Sequence, residues 1–362
     1  MTQTVVVVGG GYGGIAVAKA LDEVADVILV EPRDSFVHNV AALRAVVDPQ
    51  WTERMFVPYD GLLARGQIRQ DKAVRVSASS VELASGEVIN ADYIVLATGS
   101  TVPFPAKMHT LASETAAAQL HALRGEMTKA SHVLLLGAGP VGLEFAGEIK
   151  AAWPDKAVTI VDPMPELISG RFPEAFRAEL TEQLRALDVS LVLGTSLKTL
   201  PSSEPGQAQA FTVTTASGVD IAADMWFPCY GAVVDSGYLD AELAKARQAN
   251  GQLTVTPSLH VDGQSTVFAV GDLTAVPEMK MARHAGYHAE VVAANICALI
   301  EGTGDLKTYE PHADEIVLPL GPNGGVSYAE EFGVLGAETT AGIKSTFFIE
   351  QFRETLGIPV AA

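Results

Sequence analysis

Residues 9–14 read GGGYGG, and residues 137–142 read GAGPVG. Each glycine-rich stretch follows an apolar run, Thr4–Val8 in the first case and Val133–Leu136 in the second, and each opens an alanine-rich stretch with helical spacing. An apolar strand, a G-x-G-x-x-G turn and a helix make up the dinucleotide-binding unit of Rossmann folds. The sequence therefore predicts two dinucleotide-binding units in one chain.

A carboxylate follows each turn at the spacing that such units use. The predicted strand at 26–30 ends before Glu31, 17 residues after the first turn, and the strand at 158–161 ends before Asp162, 20 residues after the second. An acid about 20 residues past the turn hydrogen-bonds the adenosine ribose. One motif alone is weak evidence because glycine clusters also form ordinary turns. The repetition of strand, turn, helix and acid carries the prediction.

Length and cysteine content agree with a multidomain enzyme. The chain has 362 residues, of which 48% are hydrophobic and 19% charged, so it can bury more than one core. Its two cysteines, Cys229 and Cys297, are far apart and form no C-x-x-C pair. This predicts neither a disulfide framework nor a thiol redox centre, and it favours a reducing, cytoplasmic location.

Charge and hydropathy disfavour several classes of partner. The formal net charge is −19 and the sequence pI is about 4.7, which opposes binding to nucleic-acid phosphates or anionic lipid headgroups. The N-terminal run lacks signal-peptide features, and no stretch reaches the roughly 18 apolar residues of a transmembrane helix. We therefore expect no nucleic-acid partner, no transmembrane segment and at most weak peripheral contact with a membrane.

Further elements are predicted from apolar runs bounded by turn residues. The buried strand Tyr93–Ala97 ends in Thr98 and Gly99, and a later strand, Met225–Tyr230, ends comparably at Gly231. The other predictions are strands at Ala73–Val76, Ser80–Leu83 and Thr266–Val270, and helices at Ile15–Leu21, Thr115–Met127, Leu143–Lys150, Lys280 to about Ile300, and Ser345–Leu356.

This order predicts an α/β fold with two Rossmann-like dinucleotide-binding domains, the second inserted in the first. The predicted boundaries are 1–112 with 250–308 for the first domain and 113–249 for the second. A small α+β C-terminal region, 309–362, follows.

Four further stretches carry a resemblance to a known family. They read DSFVHNVAALRA at 34–45, ATGSTVPFP at 97–105, VGD at 270–272 and KMA at 280–282. With the two glycine turns, they resemble the ferroptosis-suppressor or apoptosis-inducing-factor-like NAD(P)H:quinone oxidoreductases, within the flavoproteins of the pyridine nucleotide-disulfide oxidoreductase superfamily. The resemblance covers nearly the whole chain and is weakest in the tail. Type II NADH dehydrogenases share the plan but match these stretches less closely.

The resemblance implies that FAD occupies the first domain. The residues that would hold its pyrophosphate are Gly9, Gly11, Tyr12, Gly13 and Gly14. Those that would contact the rest of FAD are Glu31 at the adenosine ribose, the Ala73 backbone at adenine, Asp272 at the ribityl chain, Arg44 at phosphate or flavin charge, and Thr98 and Gly99 beside them. Lys280 and the free N–H groups at Met281 would face the negative charge of reduced flavin.

Several of these residues also have ordinary structural interpretations. Arg44 would then be a solvated helix charge, Asp272 an N-cap of the following segment, and Lys280 a surface lysine. His284 and His288, four residues apart on one helix, could suggest metal ligands or a proton relay. No third ligand with suitable spacing accompanies them, so no metal site is predicted.

The second domain would bind NAD(P)H. Because a carboxylate repels a 2′-phosphate, Asp162 at the ribose 2′-OH predicts a preference for NADH. Arg171 lies near enough in sequence to keep NADPH as an alternative. Glu144 matches the family's glutamate that orients the nicotinamide, and its alternative role is an acid in the first helical turn. The remaining contacts are assigned to glycines: Gly137, Gly139, Gly142 and Gly231.

The electron acceptor is the less determined half of the reaction. Without a cysteine pair, disulfide reductases are excluded as close models, and the family implies a quinone. The tail contains an apolar face made of Phe347, Phe348, Ile349, Phe352 and Leu356. This face would either line the acceptor site or pack in the core. Lys344 is placed near the flavin. The tail is shorter than the family's and carries Glu350 and Glu354, which puts membrane attachment and long-tailed quinones in doubt.

Two other functions are alternatives to quinone reduction. An NADH-dependent reductase of a ferredoxin or rubredoxin would use the same two domains, but a chain with a net charge of −19 repels an acidic carrier. A non-catalytic redox-sensing or DNA-binding role, as in some apoptosis-inducing-factor relatives, is disfavoured by the missing basic patch. The sequence leaves the oligomeric state open, with a homodimer among the options.

Overall fold

The computed structural model describes residues 2–358, and its first sheet is built around the strand that precedes the first glycine turn. The elements of this part are β1 (Thr4–Val8), α1 (Tyr12–Leu21), β2 (Asp26–Val30), β3 (Ser35–Val37), α2 (Ala42–Val47), α3 (Pro49–Arg54), β4 (Phe56–Pro58), β5 (Gln67–Arg69), β6 (Ala73–Val76), β7 (Ser80–Leu83), β8 (Val88–Asn90) and β9 (Tyr93–Leu96). A short 3-10 helix, Asn39–Ala41, leads into α2. The valines of β1 are buried because helices and strands cover both faces of a parallel sheet.

The second part of the chain repeats this plan. Its elements are α4 (Ser113–Lys129), β10 (His132–Leu136), α5 (Pro140–Ala152), β11 (Ala157–Asp162), α6 (Glu174–Ala186), β12 (Val189–Leu193), β13 (Phe211–Thr214), β14 (Asp220–Ala223) and β15 (Met225–Pro228). Four of these strands form a parallel sheet in the order β12-β11-β10-β15. Once more the strand before the glycine turn lies inside the sheet.

After the second sheet the chain returns to the first. β16 (Val267–Ala269) joins a five-stranded parallel sheet of order β16-β9-β1-β2-β5. A 3-10 turn, Gly271–Leu273, follows, and then α7 (Ala282–Glu301) packs against α1. The second Rossmann-like unit is therefore inserted between β9 and β16, as the sequence predicts.

Both Rossmann helices begin earlier than predicted. α1 starts at Tyr12 rather than Ile15, and α5 starts at Pro140 rather than Leu143, with a turn glycine as the N-cap in each case. Proline suits the first helical position because its fixed φ is already helical and its missing N–H has no partner there anyway. As a result, Glu144 is the fifth residue of α5 and lies beyond the first turn, so its interpretation as a first-turn acid is wrong.

The C-terminal region is a small antiparallel sheet with two helices. Its elements are β17 (Ile316–Pro319), β18 (Gly325–Ala329), β19 (Gly333–Leu335), α8 (Ala337–Lys344) and α9 (Ile349–Thr355). The last helix, predicted near Ser345–Leu356, is present but begins only at Ile349, because Phe347 and Phe348 both adopt left-handed backbone angles between α8 and α9. The contacts of Phe347 account for the break. Its ring packs 5.0 Å from that of Trp51, and its carbonyl faces Nε2 of His38 at 3.0 Å.

Two features are missing from residues 2–358. No helix there combines the length and apolar character that crossing a bilayer requires. Nor does the same part of the chain bring three or more His, Cys, Asp or Glu side chains together in an arrangement suited to a metal ion.

A buried carboxylate fixes the edge of the first sheet. Asp22 follows α1 and is 3% exposed, and its oxygens accept hydrogen bonds from the backbone N–H groups of Ala64 at 2.5 Å, Gly66 at 2.7 Å and Arg65 at 3.2 Å. Burial disfavours the charge, but these three donors outweigh it and hold the pKa of Asp22 below its usual value. The carboxylate therefore anchors the segment that enters β5.

We expect Asp22→Ala to lower the free energy of unfolding by about 1 to 3 kcal/mol at neutral pH, because three N–H groups lose a charged acceptor. Since the pKa is lower in the folded than in the unfolded chain, this stabilisation is complete above an unfolded-state value of about 4 and is lost as pH falls below it. Denaturant titrations at neutral pH and near pH 3 measure the difference. A gap between wild type and Asp22→Ala that stays constant with pH would contradict the assignment. Asp22→Asn, which keeps one oxygen acceptor, should lose less.

Candidate cofactor and acceptor site

Four glycines of the two turns are required by the fold itself. Gly9 and Gly137 have φ of 106° and 120°, a region that side chains rarely adopt. A Cβ on Gly9 would lie 2.6 Å from the carbonyl oxygen of Ala97. A Cβ on Gly14 would collide with the carbonyl of Gly9, and one on Gly142 with that of Gly137. These glycines let each helix pack closely on its sheet.

The middle glycine of each turn is different. A Cβ on Gly11 or Gly139 would meet no described atom within 4 Å, and both residues have φ near −80° that any residue tolerates, at −78° and −81°. The fold therefore does not require glycine at either position. What glycine provides there is bare backbone facing open space at a helix N-terminus, where free N–H groups and the helix dipole attract a phosphate. Both turns thus fit a dinucleotide pyrophosphate.

The predicted acids lie beside their own turns. Glu31 is buried, and its carboxylate accepts from the backbone N–H of Gly10 at 2.7 Å and of Arg33 at 2.9 Å. Asp162 does the same in the second unit, where it accepts from Ala138 N–H at 2.6 Å. Each turn is thus closed by the strand-end acid expected to bind ribose. The sequence alone did not indicate Arg33.

Asp272 lies where β9 and β16 end side by side. Ser100 donates its hydroxyl to Oδ2 of Asp272 at 2.5 Å, and Nζ of Lys107 lies 3.6 Å from the same oxygen. The alternative that Asp272 is an N-cap of the following segment is wrong, since Asp272 lies inside the 3-10 turn Gly271–Leu273, whose N-cap is Val270, and α7 begins ten residues later with Met281 as its N-cap. Sequence reasoning missed Lys107, although it lies only two residues beyond the matched stretch at 97–105.

A cavity lies between the two Rossmann-like units. Its volume is about 170 Å³, and it is bounded by Val102 and Pro103 on one side and by Val141, Tyr230 and Gly231 on the other. Reciprocal backbone hydrogen bonds of 2.8 Å between residues 101 and 233 tie the two sides together. Gly99 and Gly231, with φ of 64° and 88°, turn the chain at the two strand ends. The C-terminal strand ends of both sheets therefore meet at this cavity.

A buried ion pair joins three parts of the chain. Arg44 of α2 pairs with Glu148 of α5, and the two side chains are 12% and 2% exposed. The guanidinium also lies 5.1 Å from the ring centre of Phe347 in the tail. The interpretation of Arg44 as a solvated helix charge is therefore wrong. Its predicted role beside the flavin stays a prediction.

Glu144 lies one helical turn before Glu148. Burial raises the pKa of Glu144 to about 7, the positive charges of Lys344 and Arg44 oppose this rise, and the negative charge of Glu148 adds to it. Lys344 ends α8, with Nζ 5.6 Å from the ring centre of Phe347. The predicted residues Glu144, Lys344 and Arg44 are thus brought into one charged cluster, although they are far apart in sequence.

The apolar face of the tail is divided. Phe347, Ile349 and Leu356 are at most 2% exposed and belong to the core. The ring of Phe352 packs 4.9 Å from that of Tyr12, at the start of α1. Phe348 is 40% exposed and is therefore the member best placed to meet a substrate.

The remaining predicted residues have less distinctive surroundings. Lys280 is exposed and donates to the carbonyl of Val276 at 2.7 Å. Ala73 is buried at an irregular point in the pairing of β6 with β7. Arg171 is exposed, and its backbone N–H donates to Asp314 at 2.6 Å. The structure gives none of these side chains a partner that tests its predicted role.

Known proteins with similar sequences and folds agree with this arrangement. A family model described as pyridine nucleotide-disulphide oxidoreductase matches residues 3–289. Ferroptosis suppressor protein 1 of Mus musculus is 34% identical over 337 residues, which cover 91% of this chain and 89% of that protein. Apoptosis-inducing factor homolog B of Dictyostelium discoideum is 31% identical over 378 residues, covering 99% and 97%.

Among solved structures, the sulfide:quinone oxidoreductase of Aquifex aeolicus superposes with a TM-score of 0.75 at 20% identity, covering 98% of this chain and 92% of that one. This likeness concerns the fold alone. The chain therefore belongs to the pyridine nucleotide-disulphide oxidoreductase family, alongside ferroptosis suppressor proteins and apoptosis-inducing factor homologs, and is an FAD-dependent oxidoreductase that uses NAD(P)H.

Proposed function

We propose that this enzyme transfers hydride from NADH to FAD and passes the electrons to a quinone-like small molecule. One observation carries the proposal. The two turns present bare backbone to open space at Gly11 and Gly139, and the strand ends that follow them meet at one cavity. Two dinucleotides bound in this way would have their reactive rings on adjoining sides of the cavity.

The first turn and its neighbours would hold FAD, which supplies the hydride-accepting and electron-donating chemistry. Glu31 would accept hydrogen bonds from the adenosine ribose, and Asp272 from the ribityl hydroxyls. Support for Asp272 comes from its anchoring by Ser100 and Lys107, because a side chain that is held in place loses less freedom when it binds. The backbone at Ala73 and the helix start at Met281 would complete the contacts, with Lys280 adding positive charge.

The second turn, Asp162, Glu144 and Gly231 would hold NADH. Each oxygen of Asp162 already accepts one backbone N–H, from Ala138 at 2.6 Å and from Met164 at 2.7 Å, and a carboxylate oxygen can accept a second bond. Glu144 would orient the nicotinamide. Alignment is the main contribution that side chains make to hydride transfer, since the reacting atoms must lie about 3 to 3.5 Å apart.

The acceptor is expected to be a diffusible molecule. Of the two cysteines, Cys229 is half-buried at the wall of the cavity, and desolvation there raises its pKa to about 12, so its thiol stays protonated. Cys297 lies on α7, distant in sequence, and no disulfide links the two. Without a protein thiol pair to reduce, electrons leave to an external acceptor. The sulfide:quinone oxidoreductase that shares the fold is named for a quinone, and Phe348 offers an exposed aromatic ring.

Asp162 should make wild type prefer NADH. We expect kcat/KM for NADH to exceed that for NADPH by the equivalent of about 1 to 3 kcal/mol, because the 2′-phosphate replaces a hydroxyl donor with a repelled charge. Asp162→Ala should reduce the ratio. Arg171→Ala is the matched control and should leave it unchanged. Equal efficiencies in wild type would refute the role of Asp162 and point to Arg171 as a phosphate partner.

Glu144 and Phe348 should act in opposite half-reactions. Glu144→Ala should slow flavin reduction by NADH about 10- to 100-fold in anaerobic stopped flow, because the nicotinamide is held less well. Reoxidation by a short-chain quinone should change little. Phe348→Ala should show the reverse pattern. Phe332→Ala is the control, since that ring is 66% exposed on the turn between β18 and β19.

The result for Phe352 separates packing from substrate contact. Phe352→Ala should lower the melting temperature because its ring packs on Tyr12. If Phe348→Ala leaves reoxidation as fast as Phe332→Ala does, the acceptor enters elsewhere. A protein carrier such as a ferredoxin would then be tested in place of the quinone.

A further inference from the structure

A buried carboxylate and a buried imidazole lie outside the residues assigned so far. Glu278 precedes α7 and His288 lies on it, and each side chain is 1% exposed. Nε2 of His288 lies 2.9 Å from Oε1 of Glu278. The contact is off the line of a regular hydrogen bond, and neither atom has another hydrogen-bond partner among residues 2–358. Nε2 of His288 and Oε1 of Glu278 therefore face each other in the protein interior.

The other nitrogen of His288 fixes the state of the ring. Nδ1 lies 3.0 Å from the backbone nitrogen of Gly271, which donates its hydrogen to it. A backbone N–H can only donate, so Nδ1 must be unprotonated, and the ring proton sits on Nε2. That proton faces Glu278. The imidazole is therefore neutral and in one tautomer.

Glu278 is itself anchored by the segment that leads into the C-terminal region. Its Oε2 accepts from the hydroxyl of Tyr309 at 2.7 Å and from the backbone N–H of His312 at 3.0 Å. Burial disfavours the charge, but His288, His312 and Tyr309 together lower the pKa of Glu278 to about 2. A fixed negative charge thus holds the Nε2 proton of His288 in place.

The residue after Gly271 is Asp272. Gly271 has φ of 68° and begins the 3-10 turn that carries Asp272. A rotation of the peptide that contains the Gly271 N–H would therefore move the Asp272 carboxylate. Ser100 and Lys107 hold the Asp272 side chain by its Oδ2, while His288 holds the backbone N–H of the preceding residue, Gly271.

We propose that His288 is a positioning residue for FAD: supported by Glu278, it fixes the Gly271 peptide and so orients Asp272 toward the ribityl chain. The inference rests on the proposed role of Asp272. Loss of the imidazole acceptor would leave a buried N–H unsatisfied, and the peptide would turn to find another partner. FAD would then be bound by a misplaced carboxylate.

Two amide variants of His288 separate its two nitrogens. The amide oxygen of His288→Asn can occupy the position of Nδ1 and still accept from Gly271. The amide of His288→Gln extends to the position of Nε2, so it reaches Glu278 but not Gly271. The matched control is His284→Asn. His284 is equally buried one turn earlier, and its ring nitrogens face Met279 and Glu315, with Oε1 of Glu278 3.9 Å from Nδ1, so it shares Glu278 with His288 but does not contact Gly271.

The measurement is the rate at which FAD leaves the purified holoenzyme, followed by the rise in free-flavin fluorescence. We expect His288→Gln to release FAD on the order of 10-fold faster than wild type. His288→Asn and His284→Asn should stay close to the wild-type rate. NAD⁺ affinity, measured calorimetrically on the same holoenzymes, should be unchanged, since the second turn lies in the other Rossmann-like unit.

Several results would overturn the inference. One is a rate of FAD release from His288→Gln equal to that of wild type. Another is FAD release from His288→Asn that is as fast as from His288→Gln. The third is a parallel loss of NAD⁺ affinity, which would indicate that the substitution loosens the whole protein. Asp272→Ala distinguishes this failure from that of the proposed function. Fast release from Asp272→Ala but not from His288→Gln refutes only the role of His288. A wild-type rate from Asp272→Ala refutes the role of Asp272 itself.

Discussion

The hydrogen bond between a strand-end carboxylate and the glycine turn beside it is the constraint on which both cofactor sites depend. Glu31 closes the first turn through Gly10, and Asp162 closes the second through Ala138. Parallel pairing brings the carboxyl ends of neighbouring strands to one edge of each sheet, so the acid and the turn must meet there. The middle glycine is then left as bare backbone toward the ligand. The proposed binding of the two cofactors at these turns rests on this arrangement.

Local patterns in the sequence were sufficient for most of the fold. The strands Ala73–Val76 and Ser80–Leu83 have the predicted bounds because alternation and flanking turn residues define them without help from distant contacts. The insertion of the second unit was also predictable, since the order of the predicted elements places the strand that ends before Gly271 after the second unit. The turns and acids of the site were found for the same reason: their spacing along the chain is itself the signal.

Contacts between distant segments were not predictable in this way. The break at Phe347 and Phe348 depends on Trp51 and His38, some 300 residues earlier. The pairing of Arg44 with Glu148 spans 104 positions and holds three parts of the chain together. Lys107 and Glu278 carry no motif, and their contacts with Asp272 and His288 appear only when the strands and helices are assembled. Supporting residues such as Lys107 and Glu278 therefore cannot be identified from the sequence alone.

The central claim is that two dinucleotide sites in one chain connect NADH to a small-molecule acceptor through FAD. The most direct test is an anaerobic titration of the purified protein, in which the released flavin is identified by mass and the visible spectrum is followed. The account predicts that the flavin is FAD, that NADH bleaches its absorbance, and that a short-chain quinone added afterwards restores it. A protein that carries no FAD, or whose flavin is reduced by NADH but is not reoxidised by the quinone, would contradict it.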